Sequence, residues 1–281
     1  MSEAPNRDPF LIPPPFMLSF SGGRTSAYML WRVLKAYGGS LPENACVLFA
    51  NTGREMPATL DFVAECEERW GVRIVWLEYI PQPPGYREVS HNNASRNGEP
   101  FFELVTRRAS LPNPIARYCT QELKIRPMTK YVRALGWSRW TNVVGLRADE
   151  LHRVFKAAER AEREPWSIAA PLASAGVRKA DVLAFWASQP FDLRLAGEWE
   201  GNCDGCFLKS RGAILRMFRD HPDRMAWWVA MEQMKSEAGR GGKFRVNRED
   251  YATLAEQVAT SPLLPLDFEM SEECGVACAA E

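Results

Sequence analysis

The segment 16–20, apolar apart from Ser19, runs without a break into Ser21-Gly22-Gly23-Arg24-Thr25-Ser26 and then into the helix-forming stretch 27–36. A run of this kind suits a strand buried on both faces. The adjacent glycines allow a sharp turn, and the helix that follows aims its free N–H groups and positive end at whatever occupies that turn. Strand, Gly-rich turn and helix together form the opening unit of a parallel α/β sheet, with a turn suited to phosphate. The spacing is neither that of the G-x-x-x-x-G-K-[ST] loop nor that of the G-x-G-x-x-G dinucleotide fingerprint.

The alternation continues downstream. A second buried strand at 45–50 leads into Asn51-Thr52-Gly53, followed by a helix over 57–70 and a third strand over 73–79. Strands alternating with helices predict a Rossmann-like α/β fold, a parallel sheet with helices on both faces. Six prolines (Pro81, Pro83, Pro84, Pro100, Pro112 and Pro114) and the polar run 91–98 then predict a long excursion over the sheet's edge within 80–118. Helix signals return at 120–135, a strand is expected at 140–145 and a helix at 179–188. Past Gly197 the chain changes character, with helices expected at 213–219 and 224–237, a basic Gly-rich loop at 239–248 and an acidic tail. The reading is a Pro-rich arm (1–15), a nucleotide-binding domain (16–197) and a helical, cysteine-bearing appendage (198–281).

Charge narrows the partners. The 35 basic and 35 acidic residues cancel, so no global field recruits nucleic acid or an anionic membrane. Locally, Arg107, Arg108, Arg117, Lys124, Arg126, Lys130 and Arg133 face a single acid, Glu122, a balance that suits a phosphate-rich small ligand as well as a solvated helix face. No apolar run approaches the roughly 20 residues that cross a bilayer. The polar, Pro-rich start has no signal-peptide core, so a cytoplasmic location is expected. In a reducing compartment seven cysteines are not a disulfide framework, and clustered ones point to metal or redox chemistry.

Cys203 and Cys206 have the C-x2-C spacing that brings two thiolates to one metal from a single turn, or that makes a redox dithiol. Cys119 and either Cys274 or Cys278 are the candidates to complete a zinc or [4Fe–4S] site. Cys46 sits in an apolar strand and Cys66 on a packed helix, so both read as small core residues. His91, His152 and His221 lack metal-ligand spacing, and the tryptophans, Trp227 and Trp228 included, read as packing. Arg147 stands at the carboxyl end of a strand, where open parallel sheets bind ligands, and its guanidinium suits forked oxyanion recognition. Lys124 and Arg126 are placed to join it.

Several stretches, in order, resemble the phosphoadenosine phosphosulfate (PAPS) reductase family, within the wider group of PP-loop ATP pyrophosphatases. They are Ser19-Phe-Ser-Gly-Gly-Arg-Thr-Ser26, Phe49-Ala-Asn-Thr-Gly53, Tyr118-Cys-Thr-Gln-Glu-Leu-Lys124 with Pro127, Val144-Gly-Leu-Arg-Ala-Asp-Glu150, Pro171-Leu172 and Gly205-Cys206. The resemblance spans about residues 16–210. It implies that Ser21, Gly22, Gly23, Arg24, Thr25 and Ser26 hold nucleotide phosphates and that Asn51, Thr52 and Gly53 line the ribose or adenine region. Gly145 and Arg147 would face the phosphate or sulfate end.

Three departures qualify it. Many ATP-cleaving relatives carry Asp where this chain has Thr25, which bears on magnesium dependence. The cluster-bearing reductases have an adjacent cysteine pair where this chain has Cys119 alone, leaving a ligand for the tail to supply. Glu273-Cys274-Gly275 resembles the reductases' C-terminal Glu-Cys-Gly, whose cysteine attacks sulfur and is released by thioredoxin, but Val276-Ala277-Cys278 replaces the Leu-His that follows it there. One arrangement puts Cys119, Cys203, Cys206 and Cys278 on the cluster and leaves Cys274 as nucleophile.

The expected function is thiol-dependent reduction of an adenylyl sulfate, with Cys274, Arg147 and Lys124 carrying it. ATP-dependent sulfur transfer to a nucleobase or other acceptor is the second reading, and the only one that brings in nucleic acid. A nucleotide-binding protein without turnover is the third. A homo-oligomer is compatible with each.

Overall fold

The computed structural model describes residues 8–238 and 242–261. Its strands are β1 (Phe16–Phe20), β2 (Ala45–Asn51), β3 (Ile74–Tyr79), β4 (Tyr86–Val89), β5 (Trp140–Val143) and β6 (Trp166–Ala169), in one sheet of order β4-β3-β2-β1-β5-β6. All neighbours run parallel except β3 and β4. The helices are α1 (Arg24–Ala36), α2 (Pro57–Trp70), α3 (Glu99–Thr106), α4 (Tyr118–Thr120), α5 (Arg126–Ala134), α6 (Leu151–Ala161), α7 (Pro171–Ser174), α8 (Lys179–Ala187), α9 (Arg211–Asp220), α10 (Pro222–Glu237) and α11 (Tyr251–Thr260).

Every residue of β1 is buried, as a central strand covered on both faces requires. Its side chains alternate. Phe16, Leu18 and Phe20 join the core made with α1, α2 and α8, whereas Met17 joins Leu48, Val75 and Leu77 under Met128, Tyr131 and Val132 of α5. Ser19 on that second face donates to Asn142 Oδ1 at 2.8 Å, so its hydroxyl is satisfied although buried. α2 opens on Pro57, where the missing N–H costs nothing, and closes on Gly71 in the left-handed region.

The Rossmann-like fold and the helical C-terminal part stand as expected, with five local differences. The excursion 80–118 contains β4 and α3. β4 is four residues, Tyr86–Val89, with a polar pair at its centre and no alternation to declare it in sequence, and it pairs with the edge of β3. α6 and β6 also escaped the reading; α6 carries Leu151, Val154 and Phe155 at helical spacing, but in the structure it buries only Ala157. α1 starts at Arg24, so Arg24, Thr25 and Ser26 belong to its first turn rather than to the loop. Between α4 and α5 the helix widens into a π-type turn at Gln121–Ile125. In the last third, α11 follows the two expected helices.

The appendage does not stand apart. Phe207, Ile214, Met217, Phe218, Trp228, Phe244 and Tyr251 share a core with Phe101, Leu104 and Val105 of α3, with Leu111 and with Leu123. Glu232 crosses that core, accepting from the backbone N–H groups of Phe244 (2.9 Å) and Tyr251 (2.6 Å), and burial pushes its pKa up despite those bonds. The described residues after 197 are therefore joined to the 16–197 segment by packing as well as by chain.

Gly22 has φ +75°, and a Cβ there would lie 2.7 Å from Thr59 Cγ2 of α2. Gly23 has neither constraint, since its Cβ would meet only Ser21 Oγ at 3.6 Å. Gly22→Ala should lower stability by about 1–3 kcal/mol in urea unfolding, and Gly23→Ala should stay within about 1 kcal/mol of the wild type. Equal effects of the two would contradict this account of the turn.

Candidate functional site

β1 lies where the strand order reverses, with β2 on one side and β5 on the other. Open α/β sheets bind ligands at the carboxyl ends of such strands. A cavity of about 380 Å³ opens there. Ser21, Gly22, Gly23, Arg24, Thr25 and Ser26 line it from β1 and α1, and Gly145, Leu146 and Arg147 from the exit of β5. Val182, Leu183, Leu193 and Leu195 add an apolar wall, and the cavity also reaches Glu55, Lys124, Cys206 and Lys209.

The loop is shaped by its serines. Ser26 Oγ accepts from Ser21 N (3.2 Å), donates to Gly23 O (2.9 Å) and meets Ser21 Oγ at 3.0 Å. No side chain caps the first turn of α1, so its leading N–H groups remain for a ligand oxygen. Gly145 lets the exit of β5 approach closely, because a Cβ there would lie 3.1 Å from Ser26 Cα.

Arg147 is 7% exposed, and its Nη1 donates to Thr25 Oγ1 at 3.1 Å while its Nε donates to Asp149 Oδ1 at 3.0 Å. Burial would raise the Asp149 pKa, but the bond from Arg147 wins and holds it below its ordinary value. Arg147 is thus pre-set beside the loop, with Thr25 in the place where a carboxylate would have formed an ion pair. Arg24 is turned to another task. Its guanidinium forks onto Asp192 at 2.7 and 2.8 Å and donates to Leu193 O at 2.8 Å, pinning the apolar wall.

Asn51, Thr52 and Gly53 do not line the cavity. Asn51 is fully buried, donating to Glu78 Oε1 (2.6 Å) and Ser95 O (2.8 Å) and accepting from Gly53 N (3.1 Å). Thr52 gives both its N–H and its hydroxyl to the Glu55 carboxylate at 2.9 Å and lies 3.4 Å from Cys203 Sγ. These residues position Glu55 and Cys203, and sequence could not show this because the partners are far away in the chain.

Cys119, Cys203 and Cys206 come together around Lys124. Burial, with a smaller contribution from Cys206, pushes the Cys119 thiol up to about 12. Burial and Glu55 push Cys203 up as well. Burial would lower the Lys124 pKa, but Cys203, Glu55, Cys206 and Cys119 together raise it, and its Nζ stands 3.9 Å from Glu55 Oε1. Cys46, by contrast, is pushed up to about 12 by burial alone, and Cys66 is fully buried in the core, as expected. Cys274 and Cys278 lie outside the described residues.

Among the described residues, no three Cys, His, Asp or Glu side chains draw together tightly enough for one metal ion. A zinc ion gathers its sulfurs at about 2.3 Å around a single centre. A cubane puts each thiolate on a separate iron and spreads the sulfurs apart. Three thiols from two chain segments, with a lysine among them, are the described residues that could hold a metal centre.

Sequence reasoning missed Glu55, Arg153, Lys179 and Lys209, all of which line the cavity. It had quoted Glu150 without giving it a role; Glu150 pairs with Arg153 and lies 3.4 Å from Arg147 Nη2. Lys209 follows Cys206 by one turn, the one signal that pointed to it. It is 5% exposed and donates to the carbonyls of Trp199 and Gly201, and burial lowers its pKa. Among the described residues no helix is long and apolar enough to cross a membrane.

The chain matches the phosphoadenosine phosphosulfate reductase domain profile over residues 15–174, more than half its length. It is 33% identical over 208 residues to the uncharacterized nin region protein ORF290 of Escherichia phage lambda, covering 70% of this chain and 67% of that one. It is 29% identical over 139 residues to the uncharacterized protein MJ0066 of Methanocaldococcus jannaschii, covering 50% of this chain but only 24% of that one. Among solved structures, a PAPS reductase from Candida auris in complex with phosphate superimposes with TM-score 0.39 and 16% identity, covering 65% of this chain and 79% of that one. The U34-tRNA thiolase NcsA from Methanococcus maripaludis, with its [4Fe–4S] cluster, gives TM-score 0.41 and 12% identity, covering 95% of this chain and 80% of that one. These superpositions are too loose to assign a ligand. The profile match covers more than half of the chain, and on it the chain belongs to the phosphoadenosine phosphosulfate reductase domain family.

Proposed function

We propose that this protein is a sulfonucleotide reductase-like oxidoreductase that binds adenylyl sulfate, or its 3′-phosphorylated form, and reduces it with thiols. The observation that carries this reading is that one cavity is lined both by the Thr25–Arg147 end of the phosphate loop and by Cys206 with Lys124. The carboxylates lining it are engaged: Glu55 by Thr52 and Lys124, Glu150 by Arg147 and Arg153, and Glu198 by Lys179. Lys124, Arg147, Arg153, Lys179 and Lys209 outnumber them. A cationic cavity whose acids are already paired favours a phosphate held by N–H groups and arginine over one held through Mg²⁺.

In this reading the α-phosphate rests on the N-terminal turn of α1 and Arg147, and the sulfate lies toward Lys124. The Cys274 thiolate attacks the sulfur, and the S–O bond to the phosphate breaks. The nucleoside monophosphate leaves with that electron pair, its new charge met by the loop. A second thiol, from a thioredoxin-like donor, attacks the resulting S-sulfonate at the cysteine sulfur, releasing sulfite and forming a disulfide. Cys119, Cys203 and Cys206 would hold three corners of a [4Fe–4S] cluster and Cys278 the fourth. Such a cluster supplies a redox-capable, charged centre beside Lys124.

ATP-dependent sulfur transfer remains the second reading. It is favoured by the convergence of three thiols on Lys124 with no fourth among the described residues. A nucleotide-binding protein without turnover is the third, and production of sulfite would exclude it.

Anaerobically purified protein should contain about four iron and four sulfide per chain. They should be lost in Cys119→Ala, Cys203→Ala and Cys206→Ala and kept in Cys46→Ala; zinc, or no metal, would refute the cluster. Calorimetry should show adenylyl sulfate binding with less than about a twofold difference between EDTA and excess Mg²⁺. Arg147→Ala should weaken it about 10- to 100-fold, the value of one or two charge-assisted bonds. A requirement for Mg²⁺, or tight binding of ATP alone, would move the reading to sulfur transfer. Sulfite and nucleoside monophosphate should form from adenylyl sulfate and dithiol, and Cys274→Ala should abolish this while leaving binding intact.

A further inference from the structure

Behind the C-x2-C turn, opposite in role to the cavity, lies a charge arrangement that the proposed reaction does not use. Asp204, between the two cysteines, is fully buried. Arg54 reaches it through Nε (3.2 Å) and Nη2 (2.6 Å), Arg224 through Nε (2.8 Å), Trp228 through Nε1 (2.7 Å) and the N–H of Gly205 at 2.8 Å. The two guanidinium groups are themselves tied to backbone, Arg54 to Arg224 O at 2.6 Å and Arg224 to Glu55 O at 2.8 Å. The Arg54 side chain is 4% exposed and that of Arg224 20%.

The arithmetic of this latch does not close. One carboxylate faces two guanidinium groups, so one positive charge is left over in a setting that screens it poorly. Asp204 N donates to Arg54 O at 2.9 Å and Glu55 forms a β-bridge with Cys203, which places the surplus beside the turn that carries the thiols. Among the described residues, the Glu55 carboxylate beside the thiols is already engaged by Lys124 and Thr52. A redox centre that gains an electron gains negative charge, and a fixed positive charge nearby stabilises the reduced form.

We infer that Arg224, sharing Asp204 with Arg54, is a tuning residue whose surplus charge raises the reduction potential of the cluster bound by Cys119, Cys203 and Cys206. The inference rests on the cluster reading. It goes further by giving a role to residues that touch neither nucleotide nor iron, and it treats the latch as more than a mechanical clasp.

Arg224 is the residue to change, because removing it leaves Arg54 and Asp204 as a paired, neutral couple. The experiment is an EPR-monitored redox titration of the holoprotein, with iron, sulfide and thermal midpoint measured on every variant. Arg224→Gln should keep the cluster and shift its midpoint potential negative, and Arg224→Lys, which restores charge without the fork, should return it close to wild type. Asp204→Asn removes the one negative charge and should shift the potential the opposite way, positive. A purely structural latch would move Arg224→Gln and Asp204→Asn in the same direction or leave the potential unmoved in an iron-replete protein, and either result overturns the inference while leaving the cluster reading in place. Should Arg224→Gln lose iron, the sign of the Asp204→Asn shift decides the matter: a positive shift supports the inference, and a negative shift or none overturns it. Absence of iron from the wild-type protein would remove the cluster reading itself, and the tuning role with it.

Discussion

The buried Asp204 carboxylate holds the cysteine turn against the sheet domain. It takes donors from the loop after β2 (Arg54), from α10 (Arg224 and Trp228) and from its own turn (Gly205). A buried charge left without partners costs about 3–5 kcal/mol, so these segments hold one another in place or not at all. Around this point the rest of the appendage is packed: Trp228 lies against Phe101 of the sheet domain and against Phe244, and Tyr251 donates to Gly205 O at 2.8 Å. This bond set fixes the turn that carries Cys203 and Cys206 beside the core that Cys119 of α4 also packs against.

The second organising contact is between β1 and β5. Their parallel pairing brings the turn after β1 against the exit of β5, where Gly145 admits the Ser26 backbone and Arg147 reaches Thr25. The phosphate loop and its arginine are separated by more than a hundred residues, yet they meet because strands paired in parallel end on the same edge of the sheet. The cavity then extends from this edge to the thiols because the loop after β2, carrying Arg54 and Glu55, borders both.

How far the sequence could be read depended on the range of the physics involved. The buried strands at β1 to β3, the Gly-rich turn, the α2 boundaries and the C-x2-C pair are local patterns and were legible. β4 and β6 were not, because four residues carry too little pattern and their pairing is decided by an edge that exists only once β3 and β5 are in place. α6 was missed although Leu151, Val154 and Phe155 recur at helical spacing, and the fold leaves that stripe largely in solvent, burying one alanine. At the site, the phosphate-loop residues and Arg147 line one cavity, whereas the Arg24 guanidinium is engaged by Asp192 and Asn51 to Gly53 do not line it.

The sequence by itself determined the α/β class, the family and the identity of the loop and of the described thiols, because strand burial, glycine placement and cysteine spacing act over a few residues. Only the tertiary structure decided that Thr25 would be answered by Arg147, that Lys124 would sit among three cysteines, and that two arginines would share one aspartate. Those are meetings of charges brought together from distant parts of the chain, and their sign and burial are properties of the packed molecule, which no local pattern encodes.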